Sequence, residues 1–398
     1  MDVTAFSVIV SPFGTAESSA HAEVAAKLAQ MRALLADLGA PAIVLTTSGA
    51  VAWLTAGLQN RIEAGSTASA MWVVVTPGDA LALTTTVEGP RIAAEHDLAS
   101  RGLALETVEW FEGDAGLTAA AREFAGSPAA ALASDGHAGF GIDAGDALAG
   151  LRLALRPAEQ ERLAALGVDA ARALETTLRD WRPGERDLEL QARIAAELER
   201  SGAFGACLIV GGDDRVERFR HPLATGAPVR RLVMAVVVAE RGGLHAAATR
   251  LACSDGLPTE IRAAWLAALT VESRMLGASR VGATYGDVLR ACDNAYAEVG
   301  RPGAWREHYQ GGPIAYRQRE FEIAPSQSDS PWYRQRIEPG HAVAWNPSVA
   351  GGGKTEDTFL IDDGELRCLT ATGQWPELAA VDGRERTAIL DIATGAAA

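Results

Sequence analysis

The densest run of chemistry-bearing side chains in this chain lies between His308 and Glu320. His308-Tyr309-Gln310-Gly311-Gly312 is followed by Tyr316, Arg319 and Glu320. Paired glycines let a ligand approach the backbone closely, and a guanidinium can grip a carboxylate through two N–H groups at once. Neighbours along a strand point to opposite faces, so only one of Arg319 and Glu320 is expected to face a pocket. The plainer reading of that dipeptide is a solvated turn. There are seven histidines, and imidazole, with an unperturbed pKa of about 6.5, is the side chain best suited to passing protons at neutral pH. His221 precedes Pro222 and reads either as such a group or as the cap of a turn. His245 lies in an apolar strand pattern, while His21, His96, His137 and His341 read as surface or turn residues. Four cysteines stand far apart without a close pair, which argues for reduced core fillers rather than a zinc or redox motif.

The elements that must position these residues repeat. A helical pattern over 157–181, a glycine at Gly184, a second helix ending at Gly202 and an apolar run over 204–210 form one unit. Helices over 258–278 and from Gly282 to Gly300, then the segment 308–316, form the other. The two glycines stand eighteen residues apart in both copies. Duplicated helix-helix-strand units predict a pseudo-symmetric domain whose halves share one sheet. Strands over 231–239 and 243–252, joined by a turn at 240–242, and closing strands over 341–349, 355–361 and 366–370 would complete it. The Ala-rich tail after Gly383 is expected to dock loosely.

Before the repeat, Val24, Leu28, Met31, Leu35 and Leu38 recur at helical spacing up to Gly39. Strands are expected over 42–46, 71–76, 80–86, 105–111 and 139–143, helices over 91–98 and 118–124, and a further apolar segment over 51–57. This makes an α/β domain over residues 1–150, followed by an α+β domain over 151–398.

The chain has 398 residues and a net charge of −15. Such acidity opposes a phosphate-binding groove, so no nucleic-acid partner is expected. No run long enough for a membrane span occurs. Residues 1–20 hold two acidic groups and no Lys or Arg, unlike a secretory leader, and a cytoplasmic location is expected.

The order and spacing of several segments resemble the pita-bread fold of the creatinase, prolidase, aminopeptidase P and methionine aminopeptidase family, from about Ala22 to Trp375. These are Ala52-Trp53-Leu54-Thr55-Ala56-Gly57, Arg220-His221-Pro222, residues 243–250, His308 to Gly312, Glu338-Pro339-Gly340 and Lys354-Thr355-Glu356-Asp357-Thr358. Metal-dependent members hold two divalent cations with two Asp, one His and two Glu. By position, the first Asp falls near 236–238, where no acid stands. The second falls at the head of Ala247-Ala248-Thr249-Arg250. The His-x-x-Gly-His motif reads His308-Tyr309-Gln310-Gly311-Gly312, and the Glu-Pro ligand becomes Asn346-Pro347. Only Glu356 remains, and one carboxylate cannot balance two dications. No metal and no other cofactor are therefore expected.

Creatinase shares this fold, uses no catalytic metal and hydrolyses a C–N bond with a histidine acid/base. His221 matches that histidine, and Glu356 matches a pocket carboxylate that would orient His221 or hold a cationic group. The resemblance thus implies a metal-independent hydrolase of a small polar molecule. His221 and Glu356 would do the chemistry; Asn346, His308, Arg319, Glu320 and Tyr316 would bind substrate. Thr249 stands where creatinase has a second glutamate, so creatine itself is not the expected substrate. Family dimers also imply a homodimer in which the loop 59–63, with Arg61, reaches the partner's site. The alternatives are a lyase using the same histidine and a catalytically inactive relative that kept the pocket or the surface for binding.

Overall fold

A computed structural model describes residues 17–127 and 129–398; most of the N-terminal stretch considered above as a leader lies outside them. The chain divides into two compact units. Residues up to Ile62 join Thr67–Gly145 in one, and Glu63–Ser66 join Asp146–Ala398 in the other.

The first unit is a six-stranded sheet with helices packed on it. Its strand order is Ala104–Val108, Ala80–Thr85, Ala68–Val75, Ile43–Thr47, Leu132–Ser134, Gly141–Asp143. The apolar segment expected over 51–57 is a helix, Ser48–Leu54, whose first turn is capped by the Thr47 hydroxyl accepting from the Ala50 amide. The inner strand Leu132–Ser134 escaped the sequence reading because three residues are too short to show alternation. It is anchored through Asp135, whose carboxylate accepts from the amides and hydroxyls of Thr46 and Thr47 at 2.6–2.9 Å.

The second unit carries the repeat. Helices Pro157–Arg179 and Asp187–Arg200 lead into strand Phe204–Gly212, and helices Thr259–Ala278 and Tyr285–Glu298 lead into strand Gly311–Pro313. The copies match at the level of single hydrogen bonds. Gly184 donates to the Val229 carbonyl and Gly282 to that of Ile337; Val229 and Ile337 donate back to Glu185 and Ala283. Gly184 and Gly282 have φ of 101° and 85°, the left-handed region that glycine enters without strain, which explains their recurrence.

The two halves do not share one sheet, contrary to expectation. One sheet runs Ala396–Ala397, Leu390–Asp391, Leu244–Cys253, Leu232–Arg241, Phe204–Gly212; the other runs Gly311–Pro313, His341–Trp345, Asp357–Asp362, Glu365–Cys368. Where the sheets meet, a side chain replaces the backbone ladder. The Thr358 hydroxyl accepts from the Ala247 amide at 2.8 Å and donates to its carbonyl at 2.9 Å, and the Thr249 amide reaches the Glu356 carbonyl.

The C-terminal segment is not loosely docked either. Arg386 is buried, as are Ala388, Ile389 and Leu390, and Leu390–Asp391 pairs in parallel with Ala252–Cys253. The Arg386 guanidinium binds Glu272 and, at 3.0 Å, Asp357. Arg250, 1% exposed, reaches Asp357 at 2.9 Å and Glu175 at 3.2 Å. Thr370 and Thr387 hydroxyls complete the shell of Asp357. Two histidines expected to be surface or turn residues, His96 and His341, are buried; the His341 ring meets the Tyr285 hydroxyl at 3.1 Å, and burial pushes its pKa down to about 4. Among the described residues no helix is long and apolar enough to cross a membrane.

Burial alone would raise the pKa of Asp357, but Arg250 and Arg386 outweigh it and hold the carboxyl below the usual range. A carboxyl depressed in the fold stabilises it above the unfolded pKa of about 3.9, and that contribution is lost as pH falls. Asp357→Asn leaves two guanidinium groups buried without their common anion and should cost about 3–5 kcal/mol. Urea denaturation at pH 7 measures this; a loss below about 1 kcal/mol would mean the network contributes little.

Candidate active site

His221 follows the short helix Asp214–Arg218, and His308 ends the single turn Ala304–Glu307. Their Nε2 atoms lie 3.1 Å apart, with the rings edge to face at 5.0 Å between centroids. His221 is exposed and His308 half-buried. A third nitrogen closes on the same atom: Nζ of Lys354 is 3.4 Å from His308 Nε2, on a side chain only 3% exposed.

Lys354 and Glu356 are two apart on one extended segment, so both point to the same side, while Thr355 and Asp357 point to the Arg386 network. Thr355 donates to Glu272 accordingly. Glu356 is buried, and both its oxygens are engaged. Arg319 Nη2 donates to Oε1 at 2.8 Å, and the Thr249 hydroxyl donates to Oε2 at 3.2 Å. Glu356 therefore makes no hydrogen bond to His221; the partner of His221 is His308. Asn346 is buried at the end of strand His341–Trp345, its amide on the Gln310 carbonyl at 3.0 Å. Its side-chain Oδ1 is buried without a donor among the described residues.

The charges here act mainly on the imidazoles. Burial, then Lys354, then His221 push the pKa of His308 down to about 2. Burial and Lys354 also lower that of His221, partly offset by Glu356. Burial lowers Lys354 as well, with Glu356 opposing. Cys207, half-buried nearby, has its thiol pushed up by burial and by Glu356, which is the opposite of what a thiolate nucleophile needs.

Two residues expected to bind substrate lie in the core instead. Arg319 and Glu320 diverge as strand neighbours do. Glu320, 4% exposed, accepts from Arg152 at 3.0 and 2.8 Å and from the Tyr316 amide at 2.8 Å. The Tyr316 hydroxyl donates to Glu159 at 2.7 Å. A buried carboxylate held by a guanidinium and an amide anchors the helix Gly145–Arg152 to the 316–320 loop. His245 faces Glu240 across its hairpin at 3.4 Å, and Arg61 belongs to the first unit. Lys354 is the residue that sequence reasoning passed over, although a lysine among glycines two positions before Glu356 was a signal of a charge on the same face.

The profile of metallopeptidase family M24 matches residues 161–363, and the chain belongs to that family. The prolidase from Pyrococcus horikoshii OT3 superposes with a TM-score of 0.70 at 15% identity, covering 87% of this chain and 98% of that one. The dipeptidase PepE from Mycobacterium ulcerans gives 0.71 at 18%, covering 88% and 96%. The N-terminal domain of the FACT complex subunit SPT16 from Eremothecium gossypii gives 0.63 at 13%, covering 88% and 96%. At these identities the likeness shows the fold, an α/β domain followed by a pita-bread domain. No curated protein sequence matches the chain.

The metal pair implied by the family does not fit these residues. Val236, Ala247, Gly312 and Asn346 stand at four of the ligand positions, and the fifth, Glu356, is bound to Arg319. A Cβ at Gly312 would lie 2.9 Å from the Phe321 carbonyl oxygen, so any larger residue there requires that backbone to shift. Among the described residues no group of three or more His, Cys, Asp or Glu is placed to hold a metal ion.

A neutral His308 is the most direct consequence of this geometry. Its pKa, about 2 in the fold against about 6.5 unfolded, means that the unfolded chain binds the extra proton between those values, so stability falls as pH drops through that window. In an NMR titration the His308 ring signals should stay flat from pH 8 to pH 5. A midpoint near 6.5 would contradict the assignment.

Proposed function

We propose that this M24 chain is a metal-independent hydrolase that cleaves a C–N bond in a small polar molecule, with His221 as general acid and base. The observation that carries the reading is the exposed His221 ring set 3.1 Å from a half-buried, neutral His308. In this reading His221 takes a proton from water as the oxygen attacks the substrate carbon. It returns that proton to the departing nitrogen as the C–N bond breaks, while His308 accepts a hydrogen bond from the imidazolium in between. Arg319 and Asn346 are the polar groups offered to the substrate, and the exposed Phe219, Leu223 and Tyr309 flank the two histidines in sequence. Burial and Lys354 lower His221 below its ordinary value, which keeps it in the basic form at neutral pH and sets the acid limb of the rate profile below about 6.5.

A specific feature favours a second reading, a ligand-binding relative without turnover: both oxygens of Glu356 are committed to Arg319 and Thr249. The two readings separate in a screen of small amides, ureas and amidines. With the cognate substrate, His221→Ala should lower kcat by roughly 10²–10⁴-fold, and His221→Asn nearly as much, since an amide does not shuttle protons. KM should move less, because the loss falls on the transition state. Undiminished turnover in His221→Ala would remove this histidine from the chemistry.

A homodimer in which the loop 59–63, with Arg61, completes the partner's site is part of the same proposal. Light scattering at micromolar concentration should return twice the chain mass of 41.6 kDa. A strictly monomeric protein would exclude a shared site.

A further inference from the structure

His221 stands on a segment without regular structure, between the short helix Asp214–Arg218 and the strand Leu232–Arg241, so its ring lies wherever that segment is held. After His221 the chain is tied within its own half. Arg215 donates to the Leu223 carbonyl at 2.5 Å and to Asp187 at 3.1 Å. Pro222 packs over Gly211, where a Cβ would come within 2.5 Å of the proline ring. Arg220 and His221 reach instead toward the second copy of the repeat. Nη2 of Arg220 donates to Oε2 of Glu307 at 2.5 Å, and His221 meets His308 at 3.1 Å. Two successive residues of one segment thus meet two successive residues of the other. Among the described residues no backbone hydrogen bond joins these two segments. The side that carries His308 is fixed from beneath, where buried Gln310 donates to the carbonyls of Trp305 and His308 at 3.0 and 2.7 Å.

The geometry points to Arg220 and Glu307 as a positioning pair that holds the His221 segment against His308. Most exposed ion pairs join neighbours on one helix; this one joins residues 87 apart in sequence. Arg220 is half-buried and Glu307 exposed, and a pair so close to water adds little to folding stability. Its effect is local. Neither a sheet nor a helix constrains residues 219–222, so a modest attraction decides where the ring of His221 sits. For its catalytic meaning the pair rests on the acid–base reading of His221, because a general base must lie within reach of the proton it takes. The placement itself needs no substrate.

The test uses full-length protein, deuterated except at its histidine rings, and the NOE cross-peak between the rings of His221 and His308 at neutral pH. Signals are assigned with His221→Gln and His308→Gln. The wild type should show the cross-peak. Arg220→Glu and Glu307→Arg each set like charges face to face, and each should lose it. The exchanged pair Arg220→Glu/Glu307→Arg should regain it. A urea midpoint near that of the wild type shows that each variant keeps its fold, as expected for a partly exposed pair. No cross-peak in the wild type would overturn the proposal, as would an undiminished one in either folded single variant. Loss without recovery in the exchanged pair would also overturn it, since the two side chains would then matter for shape and not for opposite charge. If a reversed variant does not fold, Glu307→Gln decides: it keeps the shape, removes the charge and should weaken the cross-peak, and an unchanged one would defeat the proposal. With the cognate substrate, kcat should fall by up to roughly 10²-fold in the single variants, the cost of misplacing a reacting group by about 1 Å. It should return in the exchanged pair, with KM moving less. The predicted cross-peaks in a protein that turns over no C–N substrate would defeat the hydrolase proposal and leave the positioning pair intact.

Discussion

The site depends on Asp357 being held between Arg250 and Arg386 in the middle of the second unit. Each guanidinium has a second carboxylate, Glu175 for Arg250 and Glu272 for Arg386, so two cations and three acids from five separate segments converge on one strand. Burying these charges is costly, and their mutual pairing is what makes it tolerable. The consequence is positional. With Thr355 and Asp357 tied to the network, alternation along the strand turns Lys354 and Glu356 the other way, toward His308 and Arg319. The C-terminal segment supplies Arg386 and so helps to hold the strand that carries Asp357.

Around Glu356 the nearby positive charges are the protein's own Arg319 and Lys354. Arg319 neutralises the surviving family glutamate, and its stem approaches the glycine that stands at the ligand-histidine position. Lys354 places its Nζ beside the His308 imidazole. Val236 and Ala247 lie inside their strands and Gly312 inside its own, while Asn346 directly follows one. Val236 and Ala247 there pack as ordinary core residues.

The fold was largely legible in the sequence because its signals are local. Helical spacing from Leu163 to Leu178 and the four glycines at matching separation report backbone geometry directly. What was not legible was long-range. The three-residue strand Leu132–Ser134 has no period of its own. The second unit's two sheets meet through the Thr358 hydroxyl and the Thr249 amide, contacts with no local signature. The buried end around Arg386 was hidden by the Ala-rich composition that follows it. Within the site, family position pointed to His221, His308, Arg319, Asn346 and Glu356. The partners of each were not predictable, because Glu320 and Arg319 are equivalent in sequence and differ only in which cation or anion each meets. Tyr316 and Glu320 lie in the core, and Lys354 is tied to the site by its distance to His308.

We propose that this M24 site works through imidazoles and fixed cations and not through bound metal. Isothermal titration of the purified, chelator-treated protein with Mn²⁺, Co²⁺ and Zn²⁺ tests it most directly. No binding attributable to the site is predicted, with the same heat in wild type and Glu356→Gln. Two tight equivalents per chain, lost in Glu356→Gln, would contradict it.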